Sequence, residues 1–165
     1  MEWPLSVTVR SIAASDLPRA AALAASVTPP SGAVTSRLTG QNLVVSATTE
    51  LAIEFALAAV LGAFPDAELS NPEVHYTSTH EPYCLVRLVC PAHQQELLRT
   101  DLLRRHGRIV DSSSNGDTCH IQAEAPLIEL FGYATEVHAI TQGLTSVAAS
   151  FIGYKPLANR GASAA

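Results

Sequence analysis

The chain is poor in charge, in aromatic rings and in cysteine, and each shortage excludes something. Charged residues make up 15% and aromatic residues 5% of its 165 positions, with a single tryptophan, Trp3. Ten lysines and arginines against fifteen acids leave a net charge of −5. A general electrostatic grip on DNA or RNA phosphate is thereby excluded, because such binding draws on many cations at once. No apolar run approaches the roughly 18 residues a membrane span needs, and Met1-Glu2-Trp3-Pro4 places no basic region ahead of an apolar one. We therefore expect a cytoplasmic protein with no membrane partner. Cys84, Cys90 and Cys119 contain no C-x-x-C pair, and an odd count is poor material for a disulfide framework. Cys84 and Cys90 share one side of a period-2 run with Val86 and Leu88, which makes them core residues. No G-x-x-x-x-G-K-[ST] loop occurs. His75 and His80 have no cysteine or carboxylate at metal-ligand spacing, and Ser112-Ser113-Ser114 reads as a polar hairpin tip. The expectation is a protein without catalytic residues, metal or cofactor.

What the chain has is 47% hydrophobic residues spread over its whole length, enough for a real core. Leu5 to Val9 alternates as a half-buried strand, and a helix follows to Val27, capped by Ser15 or Asp16 with Pro18 in its first turn. Strands over 33–38 and 42–46 meet at a tight turn around Gly40. Thr48 is placed to cap a second helix that runs to Leu61 and stops at Gly62, and a strand over 73–77 closes the half. The second half repeats that order. A strand over 83–90 leads to a helix from Ala92 to His106 stopped by Gly107, then to strands 108–112 and 118–125 around Asn115-Gly116-Asp117. A short helix and a strand over 145–151 complete it. In that helix Tyr133, Val137 and Ile140 share one face that packs on a sheet, and Gly143 is its stop. Each half reads β-α-β-β-α-β, so the fold class is α+β, two tandem ferredoxin-like units with antiparallel sheets and helices on one face. We place the units at 1–79 and 80–157, with a loose tail over 158–165 that offers nothing to bury. The helix from Leu51 to Leu61 is apolar all round apart from Glu54, so something should cover its outer face: the other half, a second copy in a homodimer, or a partner protein.

Pro126-Leu127-Ile128-Glu129-Leu130-Phe131-Gly132-Tyr133-Ala134-Thr135, followed by Thr141-Gln142-Gly143, closely resembles the signature of domain V in the translational GTPase elongation factor G family. Leu102 to Ile109 resembles a further step of that domain, and Gly40 to Leu51 with Asn71 to Tyr76 is similar, more weakly, to domain III. The resemblance implies domain III joined directly to domain V, without the GTPase domain, the β-barrel domain or domain IV. Departures accompany it. Ala47 to Ala52 replaces a glycine- and histidine-bearing turn of the family, and His138 and Leu144 stand where the family carries arginines.

Two sets of candidate residues follow. Arg99, Arg104, Arg105 and Arg108 cluster on and after one helix and, with His138, are the candidates for contact with a ribosome or a translation factor. In the full factors the cleft between domains III and V accepts some antibiotics, so the resemblance also implies a small-molecule or drug-sequestering role. Phe55, Tyr133, Thr141, Gln142 and Tyr154 are its cleft candidates. Glu129 and Glu136 flank the signature glycine and could pair as carboxylates, or simply favour a helix N-terminus.

Overall fold

A computed structural model describes residues 3–30 and 32–157. The alternating stretch Leu5, Val7 and Val9 forms β1 (Leu5–Arg10), with those three side chains fully covered. It is followed by α1 (Leu17–Ser26), β2 (Val34–Thr39), β3 (Asn42–Ala47), α2 (Glu50–Ala63) and two short strands, β4 (Glu68–Leu69) and β5 (Glu73–Val74). The order across this first sheet is β2-β3-β1, with β4 and β5 both pairing the far edge of β1. The second half has β6 (His80–Pro91), α3 (Gln95–Arg104), β7 (Arg108–Asn115), β8 (Thr118–Pro126), α4 (Tyr133–Ile140) and β9 (Ser146–Pro156). Its sheet runs β7-β8-β6-β9. All strand pairs are antiparallel, and the two sheets share one topology, the tandem ferredoxin-like arrangement expected from the sequence.

Burial explains the elements. Leu17, Ala20 and Ala24 of α1 and Ala52, Ile53, Ala56, Leu57 and Val60 of α2 form the apolar stripes that cover the first sheet. Leu98 and Leu102 of α3 and Tyr133 and Val137 of α4 do the same for the second, against Cys84, Val86, Leu88, Cys119 and Ile121. The three cysteines are buried and free.

Several local expectations are corrected. Thr49, not Thr48, caps α2: its hydroxyl accepts from the Ala52 N–H at 3.2 Å, while the Thr48 hydroxyl accepts from the Ala33 N–H at 2.9 Å. The Asp16 side chain makes no cap hydrogen bond on α1. Helix α2 runs through Gly62 to Ala63, held at its end by the Phe64 N–H on the Val60 carbonyl. The helix expected from Ala92 opens as a 3-10 turn over Ala92–Gln94 and closes at Arg104. His106, at φ +62°, takes the left-handed position, and the Gly107 N–H reaches back to the Leu102 carbonyl at 2.9 Å. Gly107 is required by space: a Cβ there would sit 2.7 Å from the Leu102 oxygen. Ile140 is exposed, and Thr141 takes the inner position on α4 with its hydroxyl on the Val137 carbonyl. The last strand is longer than expected because it pairs β6 along its whole length, across a bulge at Tyr83/Cys84. The outer face of α2 remains partly open, Leu51 at 43% and Phe55 at 40% exposure. The expected tail over 158–165 lies outside the described residues.

Candidate functional site

Between the start of α2 and the second half lies a cleft of about 310 Å³. One wall is the start of α2, with Thr49, Glu50, Leu51 and Glu54. The other is the start of α4, with Tyr133, Ala134, Thr135 and His138, and the floor is the apolar side of the second sheet, including Cys84, Val86 and Val147. The signature segment builds this wall. Pro126 ends β8, a 3-10 turn over Leu127–Leu130 buries Leu127 and Leu130, and Gly132 at φ +69° reverses the backbone into α4. That reversal aims the Gly132 N–H across the cleft at Glu50, whose two carboxylate oxygens accept it at 3.0 and 3.1 Å. Burial raises the Glu50 pKa above the ordinary glutamate value. The Gly132 N–H pulls it down, and the neighbouring Glu54 carboxylate pushes it up again. Burial also pushes the Cys84 thiol up to about 12. The Tyr133 hydroxyl is buried with no hydrogen-bond partner among the described residues, and its pKa is raised, chiefly by burial and next by the charge of Asp101.

The arginine cluster is divided by the fold. Arg105 is turned inward, its side chain 15% exposed. It donates to Asp101 Oδ2 at 3.0 Å, to the Glu129 backbone carbonyl at 2.8 Å and to the Glu136 carboxylate, and it lies over the Tyr133 ring at 4.8 Å. Glu136 thus meets this arginine with its carboxylate and Glu129 with its backbone carbonyl, so the two do not form a carboxylate pair on it. Arg104 also pairs with Asp101, at 2.6 Å, yet stays 72% exposed. Arg108 is exposed and pairs with Glu124 at 3.0 Å, which Lys155 contacts as well. These two cations hold the Glu124 carboxyl below the usual range. Arg99 is half-buried. His138 lines the cleft, apart from the arginines with which the sequence grouped it.

Of the five residues expected in the cleft, Tyr133 lines it. Phe55, Thr141, Gln142 and Tyr154 are not among its lining: Thr141 is buried under α4, and Phe55, Gln142 and Tyr154 are exposed. Sequence reasoning missed Glu50, Glu54 and His138 as cleft residues. The acidic start of an otherwise apolar helix was the signal that could have found the first two.

A family model described as "Elongation factor G C-terminus" matches residues 78–164. The chain belongs to the elongation factor G C-terminal family. Elongation factor 2 of Methanococcoides methylutens is 36% identical over 77 residues, 47% of this chain and 10% of that protein. Elongation factor G 2 of Hahella chejuensis is 39% identical over 74 residues, 45% of this chain and 11% of that protein. Elongation factor G 1 of Desulfotalea psychrophila is 32% identical over 105 residues, 64% of this chain and 14% of that protein. That last stretch is longer than the family-model match, so it reaches into the first half. The chain thus spans 10–14% of the length of these curated relatives. The crystal structure of a Thermus thermophilus protein superposes with a TM-score of 0.63 at 12% identity, covering 98% of this chain and 42% of that one. At that identity the likeness is one of fold.

Proposed function

We propose that the protein is a non-catalytic, cytoplasmic binding module of the translation apparatus that docks on the ribosome or on a translation factor. The observation that carries this reading is the family match over residues 78–164, on a domain whose signature segment, helices and four-stranded sheet are all in place. Arg104 and Arg108, the exposed members of the cluster, are the cations offered to a partner, with Arg99 beside them. Arg105 is engaged inside the domain and is not part of that offer. Co-sedimentation with ribosomes at low and moderate salt tests this. Salt-sensitive pelleting that Arg104→Glu/Arg108→Glu abolishes is expected, and absence of pelleting at both salts overturns it.

A second reading is favoured by the cleft itself. Its size falls at the lower end for small-molecule sites, and it combines an apolar floor with a few polar groups, Glu50, Glu54, Thr135 and His138. The protein would then hold an inhibitor of elongation factor G and keep it from its target. A ligand-dependent rise in melting temperature in a screen of such inhibitors, lost on Ala134→Trp, is the expected result. A flat response across the screen removes this reading.

A further inference from the structure

Cys90 and Cys119 stand directly opposite each other. They are register partners on β6 and β8, so both thiols project from the same face of the sheet into the core. Directly opposed residues of an antiparallel pair have Cα atoms about 4.5 or 5.5 Å apart, and both spacings lie within the reach of a disulfide. Cys84 has no such counterpart: Ala125 faces it across β8 and Phe151 across β9. Cys90 and Cys119 are 2% and 0% exposed, and both are free thiols. Burial raises the Cys90 pKa, and the Cys119 thiol beside it raises it further.

The pair sits near the end of the sheet. Only one further step of the β6–β8 ladder, Pro91 with Thr118, lies beyond it, followed by the Ala92 N–H on the Asp117 carbonyl at 2.7 Å. The next residue in the same row is Ser114 of the edge strand β7, exposed and close to the turn at Gly116-Asp117. Its Oγ lies 3.2 Å from Cys119 Sγ. Ladder ends open at a much smaller free energy than the middle of a sheet, so a small reagent reaches Cys119 past Ser114 without global unfolding.

We propose that Cys90 and Cys119 form a reversible redox site, which a peroxide closes to an intramolecular disulfide. The Cys119 thiolate, to which the Ser114 hydroxyl can donate, attacks one peroxide oxygen. An S–O bond forms, the O–O bond breaks, and the departing hydroxide leaves as water with the proton the thiol gave up. The Cys90 sulfur then attacks the sulfenic sulfur of Cys119; the S–S bond forms, the S–O bond breaks, and a second water carries away the Cys90 proton. Two thiols are oxidised and one peroxide is reduced to two waters. Opposed Cβ atoms in a ladder are about 4.5–5.5 Å apart, against about 3.5–4.5 Å in a relaxed disulfide, so the closed bond is strained and readily reduced by a dithiol. In a compartment kept reducing by glutathione the pair therefore rests as two thiols. The site shares no residue with the cleft or with the arginines of α3, so it stands or falls separately from the function proposed above.

The full chain is treated with hydrogen peroxide under native conditions, the excess is destroyed with catalase, and the remaining thiols are counted in denaturant. Two of the three thiols are expected to disappear, with an intact mass lower by two hydrogens, a peptide map that joins Cys90 to Cys119, and full recovery on dithiothreitol. Cys84→Ala should close in the same way. In Cys90→Ala the oxidised Cys119 has no partner, and its sulfenic acid should be trapped by dimedone. Circular dichroism checks that each variant is folded. Retention of all three thiols, a bridge that includes Cys84 or joins two chains, or no dimedone adduct on Cys119 in folded Cys90→Ala overturns the proposal.

Discussion

Arg104 and Arg105 are adjacent in sequence and opposite in circumstance. Arg105 ties the end of α3 to the signature segment through Asp101, the Glu129 carbonyl and Glu136. Arg104 shares Asp101 but projects into solvent. Arg105→Ala should therefore cost roughly 2–3 kcal/mol, because it removes charge-assisted hydrogen bonds and strips one partner from a buried carboxylate. Arg104→Ala should cost less than about 1 kcal/mol. Urea unfolding of the two variants checks the contrast, and equal losses would refute it. His106 offers a second case. It occupies the left-handed region at φ +62° with only a 3.3 Å contact to Glu129 on an exposed side chain. His106→Gly should stabilise by about 0.5–1 kcal/mol, since the conformational relief exceeds the value of an exposed pair. A lower melting temperature in that variant would count against the account. Asp101 lies one helical turn from Arg105, but its other two partners lie 24 and 31 residues away, and only the fold brings those together.

Among the elements, α2 carries an internal conflict. Glu50 and Glu54 sit one turn apart at the helix start, both on the cleft wall, and Glu50 has its pKa raised by burial and then by its neighbour. A carboxyl that holds its proton more tightly when folded than when unfolded takes stability away as pH rises through the window between its two pKa values. Glu54→Gln removes the like charge and should gain about 0.2–0.5 kcal/mol at neutral pH. The gain should vanish near about pH 3, where the Glu50 carboxyl holds its proton and no longer repels a neighbouring charge. Denaturant unfolding at the two pH values tests this, and a gain that persists in acid would assign it to something other than charge. Most strands were legible, but the one expected over 73–77 is only Glu73–Val74, and Glu68–Leu69 pairs the same edge before it. Leu5, Val7 and Val9, and again Cys84, Val86 and Leu88, announce their buried side by a period of two. Ends were less legible. Thr48 and Thr49 are chemically equivalent cap candidates, and only the course of the backbone gives the cap to Thr49 and turns Thr48 towards Ala33. The length of β9 was hidden for a similar reason, because Gly153 to Pro156 join the sheet through pairing with His80 to Tyr83, not through a pattern of their own.

At the scale of the whole molecule, the start of α2 in the first half meets the second half across a cleft bridged by the Glu50 carboxylate on the Gly132 N–H. The apolar α2, for which the second half, a second copy or a partner protein was expected as cover, meets the second half at its N-terminal end, leaving Leu51 and Phe55 partly open. Removing the bridge should loosen the relation of the halves without unfolding either. Glu50→Ala is expected to enlarge the radius of gyration in solution scattering while circular dichroism stays unchanged, and an unaltered scattering curve would show that the carboxylate does not hold the halves together. The floor of the same cleft contains Cys84, 1% exposed, with its thiol pKa pushed up to about 12 by burial. Such a sulfur is almost wholly protonated near neutrality and sheltered from reagents, so it reacts only during the moments when the walls part. The protein thus carries its own stopwatch: the rate at which Cys84 is alkylated counts the openings of the cleft, and anything lodged there should slow the clock.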